Sequence, residues 1–257
     1  MIHRYQYPAS FYAYQQVGSS SSASVVVPLA LDHLRPASVL DVGCGAGAWV
    51  AAWRENGVRD CVGVDGDYVP ASQLLFDPGD FRPLDVASPF RLGRQFGLVQ
   101  CLEVAEHLPP AASGTLVDNL VAHSPMVLFS AAAPGQGGEN HINERPAEEW
   151  RGLFQSRGYA VFDCLRPWLR DSAATVEPWY RYNLLLFVRH DAIGGLPDAV
   201  RAKRVPAGTP LPDVSPLPYR ARKRLLSMLS PMLVTRLARA KHALLNGVRA
   251  VIQEQHR

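Results

Sequence analysis

The chain has 257 residues, 47% of them hydrophobic, which is enough for one large domain or for one domain with an appendage. It contains no run of about 18 apolar residues, so the sequence predicts no transmembrane helix. The charge is unevenly distributed, because residues 197–257 carry a net charge of +9 and residues 1–196 a net charge of −6. An acidic globular part is therefore predicted to precede a basic C-terminal segment.

The cysteines and the N-terminal residues bear on the cellular location. Four cysteines form no CxxC pair, and three of them lie in apolar, strand-like runs. They are predicted to be buried free thiols in a reducing compartment: Cys44, Cys61, Cys101 and Cys164. Residues 1–14 lack an apolar stretch, so no signal peptide is expected. A cytoplasmic protein is the resulting prediction.

Residues 1–35 are predicted to form an arm and a helix. The first 18 residues are rich in tyrosine and glutamine. The serine run Ser19–Ser24 is a candidate start for a helix that continues through Pro28–Leu34. Two interpretations are open, a surface arm or a lid whose aromatic and hydroxyl groups close over a bound ligand.

The stretch SVLDVGCGAGAWV, residues 38–50, organises the rest of the chain. Val39 and Leu40 indicate a short buried strand, and a helical pattern extends to about Asn56. Between them stand three glycines at alternate positions: Gly43, Gly45 and Gly47. Glycine lets the backbone adopt angles that other residues resist, and lets a ligand approach the main chain closely. The stretch is therefore predicted to be a nucleotide-binding turn.

The glycines alone do not choose between cofactors, because Gly43, Gly45 and Ala48 also satisfy the dinucleotide pattern G-x-G-x-x-G/A. Asp41 helps to choose. A carboxylate beside the turn would repel a pyrophosphate, which the helix N-terminus there would otherwise attract. Asp41 therefore favours a ligand with an ammonium group and no phosphate, such as S-adenosylmethionine.

A second acidic position follows the next predicted strand, residues 61–64. Asp65 ends that strand and lies 22 residues after Gly43. This spacing fits a carboxylate that accepts hydrogen bonds from ribose hydroxyls. A surface turn aspartate is the alternative, and Asp67 is a weaker second choice for the ribose contact.

The remaining elements alternate between strands and helices. Strands are predicted at residues 81–84, 96–102, 126–132, 159–163 and 182–190, and helices at 71–76, 115–123 and 148–157. A glycine-rich loop spans 134–143, and an insertion at 166–181 holds Trp168, Trp179 and Tyr180. This order predicts an α/β fold with a doubly wound, mainly parallel seven-stranded sheet.

Acidic and imidazole side chains follow the fourth and fifth predicted strands. In a helical turn, Glu103, Glu106 and His107 would share one face, and His141 lies in the loop after the fifth strand. Both loops should open at the same carboxyl edge of the sheet, so the four side chains can converge. Such a set suits Mg²⁺ or Mn²⁺, with Zn²⁺ the weaker alternative. The metal would hold two neighbouring hydroxyls and lower the pKa of the one that is attacked.

Two other interpretations of this set stay open. In one, no metal binds and His107 or His141 is the general base. In the other, Glu103 contacts the cofactor, Glu106 and His107 cap a helix, and His141 is only a loop residue.

The glycine motif VLDVGCGAG, together with Gly63–Asp65, Leu84–Val86 and Leu102–Leu108, resembles the motifs of class I S-adenosylmethionine-dependent methyltransferases. The resemblance implies a Rossmann-like methyltransferase domain over residues 36–195, with an antiparallel last strand. It implies that Asp85 receives the adenine amino group and that the Val86 backbone meets a ring nitrogen; a helix-capping role of Asp85 is the alternative. The implied cofactor-binding residues are Asp41, Gly43, Cys44, Gly45, Gly47, Asp65, Asp85, Val86 and Glu103.

The E-x-x-E-H set with a later histidine resembles the metal-binding set of 3′-terminal RNA ribose methyltransferases and of quinone-pathway O-methyltransferases. This implies catalytic roles for His107, His141 and Glu106. Nucleic acid is not expected as a partner, because residues 1–196 are net acidic. The predicted reaction is O-methylation of a hydroxyl on a small metabolite, sugar or glycan. N-methylation is the near alternative. Asp41 argues against a dinucleotide-dependent dehydrogenase, and the intact cofactor motifs argue against a non-catalytic binding module.

The C-terminal part is predicted to be a proline-rich extended linker, residues 196–219, followed by a basic amphipathic helical tail, residues 220–257. Pro231 should start or kink a helix there. The apolar stripe of the tail packs either on the domain or on a second subunit in a homodimer. A helix lying on the anionic inner face of a membrane is the other interpretation, and nucleic acid the weakest.

Overall fold

A seven-stranded sheet forms the centre of this computed structural model, which describes residues 9–170, 172 and 175–255. The strands are β1 Ser38–Val42, β2 Asp60–Asp65, β3 Phe81–Pro83, β4 Leu98–Leu102, β5 Met126–Ser130, β6 Tyr159–Phe162 and β7 Leu185–Arg189. Their order across the sheet is β3-β2-β1-β4-β5-β7-β6, and β7 runs antiparallel to both of its neighbours. The predicted fold and the antiparallel last strand are confirmed.

Helices cover both faces of the sheet, as the alternation of elements in the sequence predicts. They are α1 Ala9–Leu34, α2 Ala48–Glu55, α3 Ser113–Val121, α4 Ala147–Gln155, α5 Leu165–Trp168, α6 Pro178–Asn183, α7 Asp198–Arg201, α8 Leu217–Leu226 and α9 Pro231–Gln255. The central strand β4 is buried along its whole length, since it has packed layers on both sides. All four cysteines are buried free thiols, as predicted.

The N-terminal helix is longer than the sequence indicated. It begins at Ala9, and the serine run lies inside it rather than at its start. The hydroxyl of Ser22 donates to the Gly18 carbonyl at 2.7 Å, so a serine in the helix interior has its hydrogen bond satisfied locally. Buried alanine and valine side chains at helical spacing, residues 23, 26, 27 and 30, pack the helix into the core. Tyr5 and Tyr7 of the predicted lid lie outside the described residues.

The helix predicted over residues 71–76 is wrong. Only one 3-10 turn forms, at Ala71–Gln73, and the chain then extends. The amide of Leu75 donates to the Ala46 carbonyl at 2.9 Å, and the Phe76 ring is buried. A Cβ added at Gly47 would overlap that ring. The extended segment thus closes over the glycine turn, a tertiary contact that overrides local helical preference.

The proline-rich segment is packed on the domain rather than extended free of it. Leu196 and Val200 belong to the hydrophobic core, and the latter lies in α7. The backbone of Arg204 forms an isolated antiparallel β-bridge with that of Phe162, and the Val205 amide donates to the Val161 carbonyl at 3.0 Å. The segment therefore covers the outer edge of β6, which would otherwise leave unpaired backbone groups.

The basic tail docks on the loop at residues 134–143. Gly135 and Gly137 both have positive φ, and a Cβ added at Gly135 would overlap the Lys223 backbone. Arg222 donates to the Gln136 carbonyl at 2.9 Å, and α9 also contacts α1. Pro231 begins α9, as predicted. The interpretation in which the stripe packs on the domain is therefore the one the structure favours.

Part of the apolar stripe faces outward, because Leu217, Leu225, Met228 and Leu244 are exposed. No helix in the described residues is long and apolar enough to cross a membrane. Contact of this outer face with an anionic membrane surface or a second copy stays a prediction.

The variant Met228→Glu tests both contacts. If the face lies on a membrane, the variant should no longer co-sediment with anionic vesicles. If it packs on a second copy, the variant should shift a dimer to monomer in size-exclusion chromatography. If the unsubstituted chain does neither at low salt, both contacts are ruled out.

Candidate active site

In the glycine turn between β1 and α2, glycine is required at one position by packing and at another by open space for a ligand. The amides of Gly43 and Cys44 donate to the Val64 carbonyl at 2.7 and 3.1 Å, which ties the turn to β2. At Gly43, where φ is 82°, an added Cβ would overlap the Val104 side chain. At Gly45, where φ is 53°, an added Cβ would meet no protein atom within 4 Å. Packing therefore requires Gly43, whereas the space above Gly45 is open for a ligand.

A cavity of about 170 Å³ lies against this turn. It is lined by Gln16, Ser19, Gly43, Cys44, Gly45, Ala46, Ala48, Trp49, Asp65, Tyr68, Val86, Leu102, Glu103, Val104, His107, Leu108 and Tyr180. Six of the nine predicted cofactor-binding residues line it: Gly43, Cys44, Gly45, Asp65, Val86 and Glu103. Gln16 and Ser19 come from α1, which agrees with the lid interpretation of the N-terminal segment. We refer to this space as the cofactor cavity.

Asp65 is held at the edge of the cofactor cavity by its neighbours. Its carboxylate accepts hydrogen bonds from the Gly45 amide at 2.7 Å, from the Gly66 amide at 2.6 Å and from the Tyr68 hydroxyl. These contacts fix the carboxylate in one orientation and couple it to the glycine turn. Asp65 ends β2, as the sequence predicts.

Asp41 does not line the cofactor cavity, contrary to the prediction that it faces the ligand. Its side chain is 2% exposed and one carboxylate oxygen has no hydrogen-bond partner in the described part of the chain. Burial raises the pKa of Asp41 to about 7, against a lowering effect of Gln100, and nearby Asp65 adds to the rise. Asp41 therefore acts on the cofactor cavity through its charge rather than through direct contact.

Asp41→Asn is expected to remove a pH dependence of stability. The pKa of this carboxyl rises from 3.8 to about 7 on folding, so the folded state holds a proton that the unfolded state releases. The stabilising contribution is complete below pH 4 and is lost as the pH rises to 7, at up to about 1.4 kcal/mol per pH unit. Denaturant titrations between pH 4 and 8 should show this slope reduced in Asp41→Asn but unchanged in the exposed Asp32→Asn. Equal slopes in both variants would contradict the assignment.

Asp85 caps a turn rather than the helix that the sequence analysis offered as the alternative to an adenine contact, because no helix stands between β3 and β4 in the described chain. Its carboxylate is exposed and accepts hydrogen bonds from the Ala87 amide and the Ser88 hydroxyl, each at 3.0 Å. Val86, the next residue, is buried and lines the cofactor cavity. The structure thus retains Val86 at the cofactor cavity, while Asp85 stabilises the turn that carries it. Gly47 is also absent from the lining, since it contacts Phe76.

Glu106, His107 and His141 come together beyond the end of β4, and we call them the carboxylate–imidazole cluster. One ligand atom from each lies within 4.8 Å of the others, and the two imidazole ring centres are 4.9 Å apart. Glu106 and His107 stand in a 3-10 turn, Ala105–His107, directly after β4. The amide of Ile142 donates to the Glu106 carbonyl at 2.9 Å, which ties the loop holding His141 to that turn.

Glu103 is not part of this cluster, which corrects the predicted set of four. Its carboxylate accepts hydrogen bonds from Gln136 at 2.9 Å and from Asn183 at 3.2 Å. Its φ of 56° is unusual for a residue other than glycine, so the chain does not continue β4 into a regular helix. For that reason Glu103 does not share a helical face with Glu106 and His107.

Burial sets the protonation of the carboxylate–imidazole cluster. Glu106 is 0% exposed, and neither carboxylate oxygen has a hydrogen-bond partner among the described residues. Burial, with nearby Glu103 adding to it, raises the pKa of Glu106 well above its usual value. Burial likewise lowers the pKa of His107 to about 3, with His141 adding to the effect. Burial thus favours the neutral imidazole of His107 and the protonated form of Glu106, and a bound cation would favour the carboxylate form of Glu106 instead.

Hydrogen bonds at Nδ1 orient both imidazole rings of the carboxylate–imidazole cluster. Nδ1 of His107 lies 3.3 Å from the Asn140 carbonyl, and Nδ1 of His141 lies 2.9 Å from the Glu144 carboxylate. When Nδ1–H of an imidazole donates in this way, Nε2 is the unprotonated nitrogen of the ring. The residues present therefore fit a divalent cation held by Glu106, His107 and His141.

A second cavity, of about 330 Å³, adjoins the cofactor cavity. Glu103 and His107 line both cavities and so mark their junction. The other lining residues are Glu106, Gln136, Gly137, Gly138, Glu139, His141, Glu177, Pro178, Trp179, Tyr219, Arg222, Leu226, Val234, Leu237, Ala238 and Lys241. We call this space the acceptor cavity. Helices α8 and α9 of the basic tail form part of its wall.

Sequence reasoning missed several residues of the site. Gln136 and Asn183 orient Glu103, and Glu144 holds both His141 and the amides of the neighbouring loop. Arg222 lies in the acceptor cavity. The glycines of the loop at residues 134–143 were a usable signal, because a glycine-rich loop indicates close approach of another part of the chain.

Of the aromatic residues in the insertion, Trp179 lines the acceptor cavity, Tyr180 lines the cofactor cavity, and Trp168 stacks on His33.

Comparison with known proteins agrees with this geometry. A family model described as a methyltransferase domain matches residues 19–163, and the chain belongs to that methyltransferase family. A comparison with curated protein sequences gives no significant match.

Solved structures share the fold at low sequence identity. The sugar N-methyltransferase KedS8 from a Streptoalloteichus species is 18% identical, with a TM-score of 0.51 over 74% of this chain and 97% of its own. Magnesium protoporphyrin IX methyltransferase from Synechocystis, with bound S-adenosylhomocysteine, is 19% identical, with a TM-score of 0.51 over 72% and 90%. An O-methyltransferase family protein from Burkholderia thailandensis is 15% identical, with a TM-score of 0.53 over 70% and 58%.

The protein is thus an S-adenosylmethionine-dependent methyltransferase. The neighbouring structures include N- and O-methyltransferases, so the fold does not decide the acceptor atom. Two features of the cofactor cavity fit the cofactor. The space at Gly45 is open, and a Cβ at that position would enter it. The carboxylate of Asp65 is fixed at the cavity edge, where it can accept hydrogen bonds from ribose hydroxyls.

Proposed function

We propose that this enzyme methylates a hydroxyl group of a small metabolite or sugar at a site that holds a divalent cation. The observation that carries the proposal is the buried carboxylate of Glu106, which has no hydrogen-bond partner among the described residues and lies beside His107 and His141. This cluster faces the acceptor cavity where that cavity meets the cofactor cavity.

The bound cofactor would supply an activated methyl group, so the protein's task is to align the acceptor and exclude water. Glu103 and His107 define the point at which the acceptor oxygen must lie, because they are shared by both cavities. A hydroxyl needs to lose its proton during attack; in the alternative without a cation, His107 or His141 is the group that accepts it.

A divalent ion at Glu106, His107 and His141 would lower the pKa of a hydroxyl bound to it. One carboxylate and two imidazoles suit Mn²⁺ better than the harder Mg²⁺, which prefers oxygen ligands, so we propose Mn²⁺ first and Mg²⁺ second. The burial of Glu106 supports this choice, since an acid without a hydrogen-bond partner costs stability until a cation compensates it. An amine acceptor would not require such a site, because a neutral amine attacks without losing its proton first.

The proposal is tested by a screen of hydroxyl- and amine-bearing metabolites and sugars. Purified enzyme is incubated with S-adenosylmethionine and each compound, and the mass increase of one methyl group is followed. Methylation of a hydroxyl compound is expected, with loss on adding EDTA and recovery with Mg²⁺ or Mn²⁺. Transfer to amines alone would establish the N-methyltransferase alternative. Normal turnover of metal-free enzyme would leave His107 or His141 as a general base without a cation.

A further inference from the structure

The acceptor cavity has a cationic side that the proposed chemistry does not use. Arg222 of α8 and Lys241 of α9 both line it, and both belong to the basic tail. The carboxylate–imidazole cluster lines the same cavity from the methyltransferase domain. Two positively charged side chains therefore reach a cavity in which a small molecule is to be held.

Arg222 differs from other cations of this region in its partners. Lys223 pairs with Asp213 at 2.6 Å, and Arg239 pairs with Glu139 at 2.9 Å. Arg222 instead donates to the Gln136 carbonyl at 2.9 Å and lies 5.6 Å from the Tyr219 ring centre. No carboxylate lies within ion-pair distance of Arg222 among the described residues. Its guanidinium is held in place while its charge stays available to a ligand.

Gln136 connects Arg222 with the reacting end of the cavity. The backbone carbonyl of Gln136 accepts from Arg222, and its side-chain amide donates to Glu103 at 2.9 Å. Glu103 lies at the junction of the two cavities. A group bound by Arg222 is therefore placed in a defined relation to the point of methyl transfer.

Lys241 brings a second positive charge close to the first. Desolvation and then the charge of Arg222 lower the pKa of Lys241, while Glu177 opposes the effect. Two positive charges from separate helices thus lie close enough to influence each other, with Glu177 as a nearby negative charge. Glu139 lines the same cavity and pairs with Arg239.

We infer that the acceptor carries an anionic group, a carboxylate or a phosphate, that Arg222 and Lys241 bind while its hydroxyl lies at the carboxylate–imidazole cluster. This inference rests on the proposed function and names the class of its substrate. The cavity volume of about 330 Å³ suits a metabolite-sized compound such as an acidic sugar, a sugar phosphate or an aromatic hydroxy acid.

The test measures binding to the full-length protein saturated with S-adenosylhomocysteine, so it does not depend on turnover. The probes are glucose, glucuronate and glucose 6-phosphate, which differ in the anionic group. Acetate and inorganic phosphate are added as probes that present the anionic group without a sugar. Isothermal titration should show an anionic probe binding at least about 10-fold more tightly than glucose, and Arg222→Gln should remove that advantage. The carboxylate and phosphate arms show which anion is preferred.

Arg236→Gln is the matched control, because Arg236 is an exposed arginine of α9 that does not line the cavity. It should bind the anions as the unsubstituted protein does. If Arg222→Gln does not bind S-adenosylhomocysteine, it is misfolded, and the same titrations are made with Lys241→Met instead. Equal binding of anions to the cavity variant and the control, or no binding of any anionic probe, overturns the inference. Methylation of neutral hydroxyl compounds alone would also overturn it, yet leave the proposed function intact.

Discussion

Replacing Glu106 by glutamine is expected to abolish cation binding and to slow methyl transfer by at least about 100-fold. The change keeps the shape of the side chain and removes the charge that a divalent ion requires. His141→Ala should have a similar effect, because it removes the ligand contributed by the loop after β5. Neither residue lines the cofactor cavity, so affinity for S-adenosylhomocysteine should be unchanged in both variants.

The measurement combines steady-state rates with metal content determined on dialysed protein. Glu144→Gln serves as a graded comparison, because Glu144 touches His141 at 2.9 Å and is absent from the three-residue cluster. It should weaken cation affinity by about 10- to 100-fold and leave some activity. If Glu106→Gln transfers methyl groups at the normal rate, the cation is not used and His107→Ala becomes the decisive variant.

Asp65→Ala is expected to weaken S-adenosylmethionine binding by about 10- to 100-fold, the loss of a charged hydrogen-bond acceptor worth roughly 1.5–3 kcal/mol. The carboxylate also orients the Gly45 amide and the Tyr68 hydroxyl, so its removal loosens the rim of the cofactor cavity. Calorimetric titration of the folded variant with S-adenosylhomocysteine measures the change. An unaltered affinity would refute the role of Asp65.

A pair of glycine variants separates ligand contact from folding. Gly45→Val should bind cofactor even more weakly than Asp65→Ala, since its side chain enters space that no protein atom occupies. Both substitutions strain a backbone with positive φ, and Gly43→Val should destabilise the fold further, because its side chain would also overlap Val104. Thermal unfolding without ligand should therefore distinguish the two. Similar melting temperatures accompanied by similar cofactor affinities would contradict this division of roles.

Local signals in the sequence were sufficient for the cofactor turn. The strand at Val39, the spaced glycines and the aspartate at position 65 all lie within one strand–helix–strand unit, and the structure places Gly43, Gly45 and Asp65 in the cofactor cavity. Hydrophobic runs bounded by turns likewise indicated all seven strands. Such features depend on near neighbours in the chain, which is why they can be read without a structure.

Reasoning from spacing was less successful where the backbone departs from a regular helix. The predicted grouping of Glu103 with Glu106 and His107 assumes a helical turn, but the φ of Glu103 is positive and its carboxylate is bonded to Gln136 and Asn183. Glu103 therefore lies near Glu106 without joining the three-residue cluster. Asp85 shows the opposite case, since the same residue type suits a turn cap and an adenine contact. In the structure Asp85 accepts hydrogen bonds from Ala87 and Ser88, as a turn cap does, and its adenine contact stays a prediction.

By itself the sequence determined the α/β fold, the methyltransferase motifs, the cofactor turn and the convergence of Glu106, His107 and His141 after neighbouring strands. Tertiary structure alone decided what the basic tail does. An amphipathic helix reveals that one face is to be buried, but its periodicity contains no information about which surface will cover that face. Arg222 meets Gln136, 86 positions away along the chain, because two glycines let the helices approach the loop. That long-range contact makes the tail a wall of the acceptor cavity.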